Sequence, residues 1–580
     1  MTTSRFVALA IALSLQASLA LQSGCIHEQD RRKKLDLGVA PQQSALQNSA
    51  AYRDTIGSYA YFEGLTPMRV RGYGLVVGLG KNGSRNCPRK IYDRLVQGLY
   101  KRHRFSEERV GVKSITPERM IRDLDTAVVF VQGEIPPAAV RGSRFDVGVV
   151  ALPGTETKSL RGGRLFTTEL EMFRPISSNV AIRGRTLAAA SGPVFFNPFA
   201  DETSATASMP REGIIVGGGT VTEDRRVRLV LVQPSYLRAT QIQARINAFF
   251  AGPGRTADAT SPSFVQLRVP TDFADDTSHF LGLVRNLFLP SDPSFESVRA
   301  EMLEQEIRDP AAPHARIALA FEGLGREAIP SLERLYPDPN DTASFHAAAA
   351  GLRLGDHLAV DAMTRHAEDE SCAYRFHAIR GLARATGMGS AAIALRRLLH
   401  DVDPRVQAAA YEGLLLRGDQ TIHSTPVGDG NFVLDRIPTR TGNFIYVKKS
   451  GARRIALFGN ELACVPPLFY LAPDGSVTID AKERDEQVTL LRRVVATGTL
   501  SPPIPAPFDL PALIQLLGNE ATVDYDGKVT GLGLDYAAVT RLLYHLCRDQ
   551  SINATFVLEQ PNVTELFGPP RPATRPESES

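Results

Sequence analysis

The 580-residue sequence predicts an α+β, multidomain protein. Three observations lead to this prediction. Strand-like apolar segments alternate with short helical segments over residues 52–293, which is typical of small mixed α/β units. Helical periodicity dominates residues 294–419, where alanine, leucine and arginine are frequent. Strand-like segments return from residue 420 and indicate a C-terminal β-rich and α+β part.

The first residues predict export. Arg5 precedes an uncharged run over residues 6–21, which has the length of a signal-peptide core rather than of a transmembrane helix. "LQSGC" resembles a bacterial lipobox, although Gln22 departs from it, so we expect a signal peptide over 1–24, lipidation of Cys25 and a tether over 25–51. Ordinary cleavage after Ala20, or a retained anchor, are the alternatives. Residues 569–580 are expected to be disordered.

Composition limits the classes of function. Hydrophobic residues make up 43% and charged residues 22% of the chain, as in ordinary folded domains. The net charge of +3 is too small to indicate nucleic-acid binding. The five cysteines contain no C-x-x-C pair, so neither a zinc site nor a thioredoxin-type motif is indicated. We expect them to be small buried side chains, and we expect no cofactor and no metal.

The stretch "RGYGLVVGLGKNG" places Gly78, Gly80 and Gly83 at the G-x-G-x-x-G spacing of a dinucleotide-binding turn. That function needs a helix that starts at the third glycine, but Pro88 predicts a helix that begins near Arg89. An acidic residue at the end of a second buried strand is also missing. We therefore expect the glycines to serve a strand turn and close backbone packing.

A local excess of positive charge follows these glycines. Residues 81–122 contain twelve Lys or Arg and four Asp or Glu. The segment is either a solvated face or a surface for an anionic partner, such as cell-wall polymer or an acidic protein face. Lys101, Arg102 and Arg104 are the candidate contacts. Exposed aromatic residues do not alternate with these charges, which argues against single-stranded nucleic acid.

Two further organisational predictions concern the middle of the chain. "REGIIVGGGTVTEDRRVRLVLV", residues 211–232, reads as a hairpin with an acidic turn. Gly323, Gly351, Gly381 and Gly413 then recur at intervals of 28, 30 and 32 residues in similar segments. This period is similar to that of HEAT-type helical repeats, which bury their apolar faces by stacking. Residues 294–419 are thus either a platform for a protein partner or structural padding.

The end of the chain divides into two predicted segments. Residues 420–500 are rich in strand patterns, and the proline-rich stretch "SPPIPAPFDLP" then breaks them. Residues 501–568 read as an α+β tail unit of helices and a last strand.

Three blocks of sequence resemble those of one family. "GYGLVVGL" (72–79), "GEIPPAAVRGSRFDVGVVAL" (133–152) and "KSLRGGRLFTTEL" (158–170) follow each other as in bacterial flagellar P-ring proteins. The similarity extends over residues 52–290, although "VALPGTE" replaces the family's "SSIGDA". The residues that carry it are Gly72, Tyr73, Gly74, Gly78, Pro136, Pro137, Ser159, Leu160, Gly162 and Gly163.

The resemblance implies a structural subunit and no catalysis. P-ring subunits are exported and form a homo-oligomeric ring around the flagellar rod at the peptidoglycan, which supports rotation and motility. This chain differs by its predicted lipid anchor, its helical repeats and its additional β structure. If its final helices and strand match the end of the family fold, the repeats are an insertion. The alternative is a lipid-anchored, non-flagellar envelope scaffold that reuses the fold.

No pattern indicates an enzyme. The sequence has no G-x-S-x-G, and its eleven histidines show no metal-binding spacing. Two adjacent carboxylate pairs, Glu107 with Glu108 and Asp275 with Asp276, are expected to be solvated rather than to act as an acid–base pair.

Overall fold

The computed structural model describes residues 50–103, 116–172, 185–195, 211–274, 276–448, 452–472, 475, 477–493, 500–523 and 529–559. The predicted signal peptide, almost all of the predicted tether and the predicted disordered end lie outside these residues. So do Cys25 and Arg104, whose predicted roles the structure does not address.

Residues 52–293 form two units. Their strands are β1 (Ala60–Glu63), β2 (Met68–Val77), β3 (Ala127–Ile135), β4 (Arg144–Ala151), β5 (Arg164–Met172), β6 (Thr186–Pro193), β7 (Glu212–Val221), β8 (Val227–Leu231), β9 (Ala257–Asp258) and β10 (Phe264–Leu267). Their helices are α1 (Ile56–Tyr59), α2 (Arg89–His103), α3 (Pro117–Ile121), α4 (Tyr236–Phe249) and α5 (Thr277–Asn286).

The first unit is a closed antiparallel barrel in the order β2-β3-β4-β7-β6-β5. Alternate side chains of each strand point inward, and the interior is filled by small branched residues such as Val70, Val129 and Val149. Helices α2 and α3 lie outside the barrel, where Leu95 and Ile121 cover Leu75 and Val128.

The second unit is a four-stranded antiparallel sheet in the order β1-β8-β10-β9. Helices α1, α4 and α5 share its core, which contains Ile56, Ile242 and Phe280. The predicted hairpin over residues 211–232 is wrong, because β7 pairs with β4 and β6 in the barrel whereas β8 pairs with β1 and β10. The acidic turn therefore carries the chain from one unit to the other.

The next segment is helical. It contains α6 (Pro293–Glu306), α7 (His314–Leu324), α8 (Ile329–Leu335), α9 (Asp341–Leu354), α10 (Leu358–Glu368), α11 (Arg375–Arg384), α12 (Gly389–Leu398) and α13 (Pro404–Leu416). Helix α7 packs on α9, α9 on α10, and α11 on α10, α12 and α13. The assignment of these helices to HEAT-type repeats stays a prediction.

The recurring glycines lie at close contacts between helices. A Cβ at Gly351 would lie 2.1 Å from the Tyr336 hydroxyl oxygen, and one at Gly413 would lie 2.9 Å from the Ala383 Cβ. Only hydrogen fits at Gly351 and Gly413, whereas a Cβ at Gly323 would lie 3.2 Å from its nearest atom and one at Gly381 would lie 3.4 Å away, which is an ordinary contact.

The last part has strands β11 (His423–Val427), β12 (Phe432–Ile437), β13 (Phe444–Val447), β14 (Arg454–Phe458), β15 (Leu468–Leu471), β16 (Val477–Ala481), β17 (Val488–Arg492), β18 (Ile504–Ala506), β19 (Thr522–Val523), β20 (Val529–Thr530) and β21 (Thr555–Leu558), with helices α14 (Leu510–Gly518) and α15 (Tyr536–Arg548). The sheets are β11-β12-β14-β13-β21, β15-β16-β17-β18 and β19-β20. Strand β21 pairs in parallel with β13, and both final helices share a core with β12 and β16. The described residues on either side of position 500 therefore belong to one folded unit.

Candidate functional site

The glycine-containing blocks 72–79 and 159–163 meet at one end of the barrel. Gly78 and Gly162 adopt the left-handed conformation, with φ of +81° and +76°. A Cβ at Gly163 would lie 2.4 Å from the Val76 Cγ1. Leu160 is fully buried in the barrel core, while the Ser159 hydroxyl accepts a hydrogen bond from the Arg161 amide (3.1 Å). Both blocks thus act through backbone shape and packing.

Gly72 and Gly74 allow β5 to approach β2. A Cβ at Gly72 would lie 2.3 Å from the Glu169 carbonyl oxygen, and one at Gly74 would lie 2.3 Å from the Thr168 Oγ1. Tyr73, between them, points outward and packs against Phe130 with ring centroids 5.6 Å apart. The two glycines therefore face the neighbouring strand and the tyrosine faces the helix outside.

Asp125 occupies the amides that a phosphate would need. Its carboxylate accepts hydrogen bonds from the backbone N–H of Gly78 (3.1 Å) and of Gly80 (2.7 Å). At Gly83, a Cβ would lie 2.0 Å from the Thr126 carbonyl oxygen, and helix α2 begins only at Arg89. An internal carboxylate therefore fills this turn, which is the opposite of an open dinucleotide-binding loop.

Pro136 and Pro137 lie at the opposite end of the barrel, at the junction with the four-stranded sheet. Ala138 follows them with φ of +56° and is buried in the core of the sheet unit, whereas Ala139 is buried in the barrel core. The prolines thus end β3 and direct the chain between two cores.

Arg225 fastens this junction, and sequence analysis missed it. Its guanidinium donates to the carbonyl oxygens of Ile135 (3.1 Å), Pro136 (2.8 Å), Gly64 (3.2 Å) and Thr66 (2.8 Å). Burial lowers the pKa of Arg225. Arg225 lies in the charged turn before β8. The hairpin prediction treated that turn as a simple connection between two paired strands, so it gave the arginine no role.

The basic segment presents a cationic surface on helix α2 and the loop before it. Lys81, Arg85, Arg89, Lys90 and Lys101 are exposed and form no salt bridge with any described residue. In contrast, Arg94 pairs with Glu171 (2.7 Å between Nη2 and Oε1). The side chain of Arg102 lies outside the described atoms, as does all of Arg104. Of the three predicted contacts, the structure therefore places Lys101 on an open face.

Burial raises the pKa of all four cysteine thiols in the described part of the chain. Cys87, Cys372, Cys464 and Cys547 are free thiols. Burial raises the pKa of Cys464 and of Cys547 to about 12, so both stay protonated. No set of three or more His, Cys, Asp or Glu side chains among the described residues is arranged to hold a metal ion. Within the same residues, no helix has the length and apolar character required to span a membrane.

Asp276 differs from the expected solvated carboxylate. It is half-buried and accepts a hydrogen bond from the His279 backbone amide at the start of α5. It also forms salt bridges with Arg384 and with Arg353, the latter at 3.4 Å between Nη2 and Oδ2. Burial opposes ionisation, but Arg384 and the other partners hold the pKa of Asp276 below its usual value. Asp276 therefore joins α5 to the helical segment, whereas Asp275, Glu107 and Glu108 lie outside the described residues.

Comparison with known proteins places this site in a matched region. A family model described as flagellar P-ring protein matches residues 55–298. The flagellar P-ring protein of Bradyrhizobium sp. strain BTAi1 is 31% identical over 267 residues, which cover 44% of this chain and 64% of the relative. That of Nitrobacter hamburgensis is 30% identical over 260 residues, covering 43% and 63%, and that of Rhodopseudomonas palustris strain BisB5 is 30% identical over 273 residues, covering 44% and 67%.

The chain thus spans just under two thirds of the length of the first two relatives. The match contains both glycine blocks, the double proline and Arg225, and it ends within α6. Most of the helical segment and the whole C-terminal part lie beyond it.

Proposed function

The chain belongs to the flagellar P-ring protein family, and we propose that it is a structural subunit of a P-ring-like assembly of the flagellar basal body in the bacterial envelope. The observation that carries this proposal is the use of the signature residues. They close a barrel, hold a turn with Asp125 and direct the chain at Pro136. Residues with such roles build a rigid module for assembly.

In this proposal the subunit forms a homo-oligomeric ring around the rod at the peptidoglycan, in the periplasm, and supports rotation and motility. Lipidation at Cys25 would add a membrane anchor. A clean deletion strain should then lose swimming, and swimming should return when the gene is supplied again. Purified basal bodies of the complemented strain should contain the chain in a ring visible by electron microscopy. Normal swimming of the deletion strain would contradict this function.

We assign the cationic face of α2 to contact with an anionic partner in the assembly. Its support is a group of exposed basic residues, on α2 and the loop before it, that form no salt bridge with a described residue. Helix α2 itself is packed on the barrel. Replacement of Lys101, Arg102 and Arg104 by Glu should weaken sedimentation with cell wall or basal bodies. The matched control replaces Lys482, Arg484 and Arg493, which are exposed on the C-terminal unit. An equal loss in both variants would assign the effect to net charge alone.

A second candidate function is a non-flagellar, lipid-anchored envelope scaffold. It is favoured by the extent of structure beyond the family match, which includes most of the helical segment and all of the C-terminal unit. In both functions the helices act as a platform for a protein partner. Capture of the tagged full-length chain from envelopes separates the two functions, because a flagellar subunit should bring rod components with it and a scaffold should not.

A further inference from the structure

A wide cleft opens where the barrel meets the edge of the four-stranded sheet. Its volume is about 1370 Å³, and it lies at the Pro136 end of the barrel, away from the glycine turn. Its lining contains six arginines: Arg141, Arg185, Arg225, Arg226, Arg255 and Arg268. Neither the family resemblance nor the predicted basic segment assigns a role to this cleft.

Four of these arginines have no acidic partner among the described residues. Arg141 lies between β3 and β4, Arg226 between β7 and β8, Arg255 just before β9, and Arg268 just after β10. All four are exposed, and none forms a salt bridge with a described residue. Four separate segments of the chain therefore bring unneutralised guanidinium groups to one cleft.

The other two arginines are already engaged. Arg225 is held by four backbone carbonyl groups, and Arg185 pairs with Glu223 (2.7 Å between Nη2 and Oε1). Of the three carboxylates in the lining, Glu223 is thus neutralised and Asp224 accepts a hydrogen bond from the Arg141 amide (2.7 Å). Asp258 is the third, so positive charge predominates in the cleft.

The walls of the cleft are fixed in place. Arg225 ties the end of β3 to the loop before β2, and its amide donates to the Ala139 carbonyl oxygen (2.8 Å). On the other wall, the Arg268 amide donates to the Thr256 carbonyl oxygen (2.8 Å), which holds the segments of Arg255 and Arg268 together. The backbone positions of the four free arginines are therefore set before any ligand arrives.

We propose that this cleft binds an extended chain that carries carboxylate or phosphate groups. Guanidinium groups pair with such oxyanions through two parallel hydrogen bonds, and four of them converging on one concave surface attract an anion strongly. The volume exceeds the roughly 300–1,000 Å³ of ordinary small-molecule pockets, which favours a polymer segment over a compact ligand. This site goes beyond the proposed ring function, because it binds its ligand in the isolated subunit.

The test measures binding of the full-length chain to fluorescent poly-L-glutamate and to polyphosphate, with neutral dextran as the blank. Wild-type protein should bind at least one polyanion, and binding should weaken as salt is raised. A variant with Arg226, Arg255 and Arg268 each replaced by Gln should bind about tenfold more weakly or worse. The reason is that a hydrogen bond between charged groups contributes more to the binding free energy than a hydrogen bond between neutral groups. The single variant Arg255→Gln should bind the polyanion about threefold more weakly or worse. Comparison of poly-L-glutamate with polyphosphate shows whether the cleft prefers carboxylate or phosphate groups.

The matched control replaces Lys482, Arg484 and Arg493 by Gln, which removes the same charge from the C-terminal unit, away from both the cleft and α2. It should keep binding within about twofold of wild type. Equal losses in the cleft and control variants, or no polyanion binding by the wild type, would overturn the proposal. So would a cleft variant that changes only self-association, because the cleft would then hold an acidic face of a second copy.

Discussion

Replacement of Gly72 by alanine tests whether the signature glycines serve the close approach of two strands. Gly72 lies in the middle of β2, and the chain opposite it is the Glu169 backbone of β5. The new Cβ would lie 2.3 Å from the Glu169 carbonyl oxygen and 3.2 Å from the Leu170 Cδ2. Backbone oxygen cannot rotate away as the end of a flexible side chain can, so the strands themselves must separate.

The size of the effect follows from that displacement. An unstrained contact needs about 3.4 Å or more, so β2 and β5 must move apart by about 1 Å. Strand β5 is also paired with β6 in a closed barrel, and the shift must be absorbed around the ring of strands. Overpacking of this kind costs about 1–3 kcal/mol, and we expect Gly72→Ala to lie near the upper end.

The assay is hydrogen exchange of the β2 and β5 amides by mass spectrometry, because a chain of several units does not unfold in a single step. Both strands should exchange faster in Gly72→Ala, by a factor that corresponds to about 2–3 kcal/mol of local stability. The control is Gly98→Ala in α2, where no heavy atom lies within 4 Å of the new Cβ and alanine should stabilise the helix by about 0.5–1 kcal/mol. Exchange in Gly72→Ala within about 0.5 kcal/mol of wild type would refute the reasoning.

Three further predictions concern charged and titrating groups. Burial, followed by the nearby His314 and His377, lowers the pKa of His346 to about 4, so the unfolded chain takes up a proton that the folded chain refuses. Stability should therefore fall by up to about 3 kcal/mol as the pH drops from 6.5 towards 4. In His346→Phe, the melting temperature should depend less on pH over this window. A pH dependence equal to that of the wild type would contradict the prediction. Asp435→Asn should destabilise the C-terminal unit by about 3–5 kcal/mol, measured by amide exchange in β12 and β14, because this fully buried carboxylate pairs with Arg454 and accepts a hydrogen bond from the Tyr411 hydroxyl (2.5 Å). A loss below about 1 kcal/mol would argue against this role. Asp125→Ala should accelerate amide exchange in the glycine turn about tenfold without unfolding the barrel, and full protection of that turn would show that another group holds it.

Local patterns in the sequence predicted individual elements well. Pro88 indicated the start of a helix at Arg89, where α2 begins, and the helical periodicity of residues 294–419 appears as helices α6 to α13. Such patterns record which side of one element is apolar. They do not record which strand lies next to it, so the barrel and the separation of β7 from β8 could not be predicted. The same limit explains β21, which completes a sheet with β13 more than a hundred residues earlier.

The site shows the same division between local and distant information. The glycines were identified because spacing and a late helix start are local features. Asp125 and Arg225 were not, because their partners lie far away in the sequence: Asp125 reaches amides 45 and 47 residues away, and Arg225 reaches carbonyl groups up to 161 residues away. No motif marks a carboxylate that fills a turn or a guanidinium that binds backbone oxygens.

The helical segment is built onto the family module as a continuation of its packing. Helix α5 is the last element of the sheet unit, and it also packs on α7, which in turn packs on α9. At the contact between α5 and α7, a Cβ at Gly323 would lie 3.2 Å from the Asn286 carbonyl oxygen. The His279 ring and the Glu322 carboxylate pair across this contact at 2.8 Å.

Asp276 extends the contact further, because its two arginine partners come from α9 and α11 rather than from the nearest helix. At the other end, α13 is fastened to the C-terminal sheet by the hydrogen bond from Tyr411 to Asp435. A partner that docks on the helices would thus be held at a set position relative to the barrel. In a ring of such subunits, every copy would present its added segments at the same angle. The added segments would therefore follow the symmetry of the ring.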